Sequence, residues 1–123
     1  MRTLIPFLFY TLAIGVHGVP ALSVLFPQKM AKLYGISTDD NVLMTLLQHR
    51  AMFFVLVAVA CIYAAHVASA RWPVLIGTTI SMMSFILIAI PRGQLSGPLA
   101  KIAYVVGIGL VIAAILAVLM LRT

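Results

Sequence analysis

Residues 42–67 read VLMTLLQHRAMFFVLVAVACIYAAHV. At about 1.5 Å of helical rise per residue, a run of this length exceeds the ~30 Å hydrocarbon thickness of a bilayer. Its only permanent charge is Arg50. Three further apolar runs occupy residues 4–26, 72–90 and 99–121. Each of the four holds about 19–26 residues, enough for one membrane-spanning helix. Little of the 123-residue chain is left for a water-soluble domain. The short connections between runs favour antiparallel neighbours. The expected fold is an all-α integral membrane protein, a single domain over 1–123 with four transmembrane helices in an up-down-up-down bundle.

Composition points the same way. Hydrophobic residues make up 64% of the chain and charged residues 8%, against about 45–50% and about 25% in soluble domains. A small soluble domain keeps too much exposed surface to hide that much apolar area. The net charge of +6 arises from eight Lys and Arg set against Asp39 and Asp40 alone. The basic residues stand singly, mostly at span ends, which suits lipid headgroups. They form no basic cluster with interleaved aromatics, so nucleic acid is not an expected partner. Leaving out the deeper Arg50, Arg2, Arg71 and Arg122 flank one membrane face, and Lys29, Lys32, Arg92 and Lys101 the other. So even a division leaves the orientation open. Cys61 is the only cysteine, which excludes an intrachain disulfide, a CxxC redox pair and a cysteine-based zinc site. Arg2 followed by an apolar run also resembles a signal peptide, but the run is long and interrupted by Pro6, His17 and Pro20. It is read as a retained first span.

The connection at residues 27–41 carries local signals of its own. Pro27 ends the first span. Residues 28–34 alternate Lys29 and Lys32 with Met30, Leu33 and Tyr34, the pattern of a short interfacial helix with its lysines toward headgroups. Gly35 stops it, and Ser37, Thr38, Asp39, Asp40 and Asn41 are capping residues for the second span. Trp72, beside Arg71 and Pro73, is expected at a membrane interface.

Polar side chains within the spans are the candidate functional residues, because hydrocarbon makes each of them costly. They are His17, Gln48, His49, Arg50, Tyr63, His66, Ser81, Ser84 and Tyr104. Counted along each helix, His17 and His49 lie roughly 10–14 Å inward from the face bearing residues 27–41 and 91–98. Arg50, Ser81, Ser84, Tyr104 and Gly107 fall near that level, so all four helices offer polar or small groups to one layer. His49, Met52, Leu56, Val59, Tyr63 and His66 share a heptad stripe expected to face the bundle, as Tyr10 and His17 do in the first span. Gly77, Ser81 and Ser84 line one face of the third span. Ala103, Gly107, Ala114 and Ala117 supply the fourth with places for close approach.

Arg50 keeps its proton, and no span contains an Asp or Glu to neutralise it. Three roles fit it: reaching lipid phosphate on its long stem; bonding helix carbonyls, Ser81, Ser84 or Tyr104 as structural glue; or contacting an anionic or carbonyl-bearing ligand. His17 and His49 on adjacent helices also permit a b-type haem, with Arg50 or Lys101 near a propionate. No non-haem metal is expected, since no carboxylate accompanies the histidines. His66 is read as an interfacial histidine. The absence of an intramembrane carboxylate excludes a drug–proton antiporter of the small four-span type. The single cysteine excludes thiol–quinone exchange. No nucleophile with a base and an orienting acid is present for hydrolysis. GVHG around His17 lacks the strand–helix framework of a nucleotide-binding site.

The segment Leu46-Leu47-Gln48-His49-Arg50-Ala51-Met52-Phe53-Phe54, with Leu33-Tyr34-Gly35-Ile36 before it, resembles small four-span DoxX-like bacterial membrane proteins. The resemblance lies in size, four-span layout and an arginine at the start of the second span. It implies a multi-pass helical bundle of the bacterial inner membrane, in a group associated with redox or quinone-linked systems, and assigns no catalytic residue. The resulting expectation is a protein binding a lipid-like or quinone-like small molecule, or another membrane protein or a second copy of itself, at the polar layer. Its ligand residues are Arg50, His49, His17, Gln48, Ser84 and Tyr104. A structural accessory subunit without a ligand is the second reading, and a quinone- or haem-linked oxidoreductase component the third.

Overall fold

The computed structural model describes residues 2–33, 35 and 39–123, and these are helical nearly throughout with no strand among them. Three helices are long and apolar enough to cross a bilayer: Asn41–His66, Ala68–Arg92 and Ala100–Arg122. The bent pair Leu4–Val16 and Gly18–Val24 makes a fourth if counted as one span. By length and composition the chain is a multi-pass membrane protein.

The first span is not one regular helix. It begins as α1 (Leu4–Tyr10), where Pro6 falls in the first turn and sacrifices no helical bond. It then widens into a π-helical turn over Thr11–Val16 and resumes as α2 (Gly18–Ala21) after a bend of 47°. The cause sits downstream. Pro20 has no N–H to offer the Val16 carbonyl, and its ring crowds that carbonyl. The backbone adjusts one turn earlier, where the His17 N–H reaches five residues back to the Leu12 carbonyl at 3.2 Å. The His17 imidazole then bonds the same carbonyl through Nδ1 at 2.9 Å. A short 3-10 turn (Leu22–Val24) leads to α3 (Pro27–Leu33), close to the expected interfacial helix. Lys29 lies 5.3 Å from the Phe26 ring centroid. Gly35, at φ 68°, adopts a left-handed backbone that L side chains resist, and so ends α3 as expected. The placement of Met30, Leu33 and Tyr34 and the capping by Ser37 and Thr38 lie outside the described residues.

α4 (Asn41–His66) starts as expected at an aspartate: Asp40 Oδ1 accepts the Leu43 N–H at 3.0 Å. Asn41 is the first helical residue rather than a cap. The far end of α4 is closed by a residue the sequence reading treated only as a flanking charge. Arg71 donates from Nε to the Ala64 carbonyl at 3.2 Å and from Nη2 to the Ala65 carbonyl at 3.4 Å. It thereby occupies carbonyls that a helix C-terminus leaves without partners. α5 (Arg71–Ala89) follows after a single 3-10 turn, with Trp72 exposed at its start. A second turn through Gly93 and Gly97 leads to α6 (Ala100–Arg122).

Contacts along the first span and α4 run in opposite order. Tyr10 meets His66, His17 meets Phe54, and Gln48 donates to the Val24 carbonyl. α4 and α5 behave likewise: Arg50 faces Phe85, Cys61 Sγ lies 3.6 Å from Thr78 Oγ1, and Ala64 receives Arg71. α6 packs on α1, the π turn and α5. Phe9, Leu12, Cys61, Ala64 and Leu116 are wholly enclosed at the centre.

The rotation of α4 differs from expectation. The heptad stripe assigned to the interior points outward: Met52, Leu56, Val59 and Tyr63 are all exposed, as are His49 and His66 at its ends. The inward face carries Ala51, Cys61, Ala64 and Ala65. Lipid tails are as apolar as leucine, so hydrophobicity does not select the inner face; packing does, and small side chains bring helices together. The Tyr10–His17 stripe of the first span does face the bundle as expected: both residues meet α4, Tyr10 at its end and His17 at its middle. Close approach on α6 occurs at Gly109, not at Gly107; beside Gly107, and beside Gly77 on α5, a Cβ would meet nothing within 4 Å. At Gly109 a Cβ would stand 2.6 Å from Met82 Sδ and 3.2 Å from Val16 Cγ1.

Candidate functional site

A cleft of about 620 Å³ opens where the break in the first span faces α4, α5 and α6. The first span contributes the broken backbone itself, from Gly15 to His17 with Val19 and Pro20. α4 presents Arg50, Phe53, Phe54 and Val57, and α5 presents Ser81, Met82, Ser84, Phe85 and Ile88. Gln94 closes one end with the first turns of α6, where Lys101 leads into Val105 and Val106. The size falls within the roughly 300–1,000 Å³ typical of small-molecule sites, and the walls are mostly apolar with a few convergent polar groups.

Arg50 dominates the polar part. Its guanidinium carbon lies 5.1 Å from the Phe54 ring centroid and 5.9 Å from that of Phe85. Such ring faces attract a cation through their quadrupoles. Phe54 follows Arg50 by one helical turn, so α4 places both on one side. The guanidinium makes no hydrogen bond to any other described residue. The glue role, with Ser81, Ser84 or Tyr104 as partners, is therefore not realised. Ser84 spends its hydroxyl proton on the Ser81 carbonyl at 2.7 Å.

His17 is buried at the break, and its ring centroid is 6.0 Å from that of Phe54. A carbonyl oxygen only accepts, so Nδ1 facing Leu12 must carry the hydrogen, which leaves Nε2 of the neutral ring as an acceptor.

Of the six expected ligand residues, the fold brings Arg50, His17 and Ser84 to one cleft. The other three lie elsewhere. Gln48 donates to the Val24 carbonyl at 3.4 Å, tying α4 to the end of the first span. His49 turns onto the Phe53 ring, 5.1 Å between centroids and nearly perpendicular. Tyr104 is 74% exposed. One residue of helix advances about 100°, so side chains at a common depth are spread around the cylinder and only part of a layer can converge. His49 does not border the cleft that His17 borders, so a two-histidine haem site is not assembled. Among the described residues no three His, Cys, Asp or Glu side chains group closely enough to hold a metal ion.

Lys101, expected beside an anionic group of a haem, also borders the cleft. Three contributors escaped sequence reasoning. Phe54 was legible in principle from its i+4 spacing to Arg50. Phe85 and Gln94 gave no local signal. At the other end of α4 a second polar contact joins Tyr10 Oη and His66 Nε2 at 2.6 Å, with the rings edge to face. His66 thus has a specific partner on α1.

Chemically, the cleft offers cations, ring faces and apolar walls, and nothing in its lining pairs a nucleophile with a base. That combination suits holding an amphiphile. Compared with protein-family models, curated proteins and solved structures, the chain matches none.

Proposed function

We propose that this chain is a four-span, up-down-up-down bundle of a bacterial inner membrane, related to the DoxX-like proteins, that holds a lipid-like or quinone-like small molecule in the cleft beside Arg50. The supporting observation is the break in the first span. In hydrocarbon an unmet backbone group is expensive, and irregular backbone is tolerated at membrane depth where it is buried in protein or lines a cavity. Here the π turn and the bend at His17 border the cleft, the arrangement by which membrane proteins build ligand sites from interrupted helices.

The test is native mass spectrometry of gently extracted wild type and Arg50→Ala, with absorption spectra of both. A stoichiometric adduct in wild type that is lost in the variant supports the reading, and its mass and spectrum distinguish lipid from quinone. Bare protein in both samples overturns it. The second reading is an accessory subunit of a membrane complex. It draws on the outward row of Met52, Leu56, Val59 and Tyr63 on α4, bulky enough to pack on a partner helix. Co-purification of a stoichiometric partner that Leu56→Ala/Tyr63→Ala releases would favour it.

A further inference from the structure

We infer that the cleft takes an anionic, phosphate-headed lipid, its phosphate held by Arg50 and Lys101 and its hydrocarbon tail lying along Val57, Met82 and Val106, an assignment that rests on the cleft being a ligand site. Charge is the first reason. Arg50 and Lys101 border one cleft, and the chain's only acids, Asp39 and Asp40, are not among its lining. Neither cation has an ion pair or hydrogen bond among the described residues. Two uncompensated cations against low-dielectric walls favour an anion over a neutral headgroup.

Donor geometry is the second reason. A guanidinium presents five N–H donors in a planar fork, and ring contacts with Phe54 and Phe85 use its faces and leave its edge free. Lys101 adds up to three donors, and the Gln94 amide, also in the lining, adds two. That supply exceeds what one quinone carbonyl can accept and suits the several oxygens of a phosphate. The first turn of α6, which no side chain caps, borders the same end and adds its positive dipole.

The gradient along the cleft is the third reason. On α4, Val57 lies seven residues beyond Arg50, about 10 Å at helical rise; on α6, Val106 lies five beyond Lys101, about 8 Å. Both helices pass from a cation to a β-branched apolar residue, and Met82 with Phe53 continues the apolar wall. A site with charge at one end and hydrocarbon at the other matches a head with its tail.

The test uses the full chain in neutral detergent, titrated with dioleoylphosphatidylglycerol, dioleoylphosphatidylcholine, decylubiquinone or inorganic phosphate and read by native mass spectrometry. Phosphatidylglycerol should give a one-to-one adduct. Arg50→Gln and Lys101→Gln should each weaken it about ten- to a hundredfold, the loss expected for one charge-assisted bond. Arg50→Lys, which keeps the charge but loses the planar fork, should bind more tightly than Arg50→Gln and less tightly than wild type, which guards against a folding defect, and Arg92→Gln and Arg122→Gln, outside the cleft, should leave it unchanged. Equal losses in those two variants would mean diffuse headgroup attraction and overturn the inference. An adduct of inorganic phosphate that displaces phosphatidylglycerol would reassign the site to a free anion and overturn the lipid assignment. Decylubiquinone binding that is indifferent to Arg50→Gln would overturn the anionic assignment while leaving the cleft a ligand site. No adduct from any probe would overturn both.

Discussion

Substituting alanine at two glycines of α6 that lie two residues apart should move stability in opposite directions. At Gly107 a Cβ meets nothing within 4 Å, so alanine contributes only its helix preference, worth up to about 1 kcal/mol over glycine. At Gly109 the same methyl would sit 2.6 Å from Met82 Sδ and 3.2 and 3.3 Å from the two γ-carbons of Val16. Met82 can swing, but it is buried. Val16 is β-branched and sits in the π turn, so it has little room to give. Crowding of this kind costs about 1–3 kcal/mol. Helix preference is common to both substitutions, so the difference between Gly107→Ala and Gly109→Ala isolates the crowding and should be about 1–3 kcal/mol. The assay is unfolding by sodium dodecyl sulfate in mixed micelles, followed by circular dichroism, with all variants in one buffer. Met82→Ala, itself costly because Met82 is buried, should cost about 0.5–2 kcal/mol less in the Gly109→Ala background than in wild type, a coupling that separated sites would not show. If Gly109→Ala proves as stable as Gly107→Ala, α6 does not approach the first span and α5 at Gly109, and the packing derived above is wrong.

Two further substitutions probe the ends of α4. Arg71→Ala removes the side chain that closes the Ala64 and Ala65 carbonyls; it should cost about 1–2 kcal/mol in the same unfolding assay and speed amide exchange of Val67, whose N–H bonds the Tyr63 carbonyl. Asp40→Ala deletes the acceptor for the Leu43 N–H and should cost about 1 kcal/mol, with Asp40→Asn retaining most of the stability because its amide oxygen accepts the same bond.

The helical class, the boundaries of α4, α5 and α6, and the membrane as solvent were legible in residue order. Helix length against bilayer thickness is a one-dimensional quantity, and so is the position of a cap such as Asp40 or a stop such as Gly35. The break in the first span was half legible. Pro20 announced an interruption, but the compensation appears a turn earlier, where His17 bonds Leu12. Predicting it requires knowing that this backbone borders a cleft.

The candidate site divides in the same way. Arg50 stood out because a charge without an acid in any span demands a partner, a condition set by residue order alone. Which groups surround it depended on helix rotation, and in a membrane rotation is weakly written in sequence because both faces of a span are apolar. The stripe from His49 to His66 therefore had the spacing of an inner face and lies outside, while the face lined by Ala51, Cys61, Ala64 and Ala65 packs inward. Depth alone put His17, His49, Arg50, Ser84 and Tyr104 in one layer. Tertiary packing chose His17, Arg50 and Ser84 from them and added Phe85, Gln94 and Lys101. Residue order thus sets how far along the membrane normal each group lies. Close approach of small side chains, as at Gly109, sets the direction in which each group points, because contact between helices is a property of surfaces that no single helix carries.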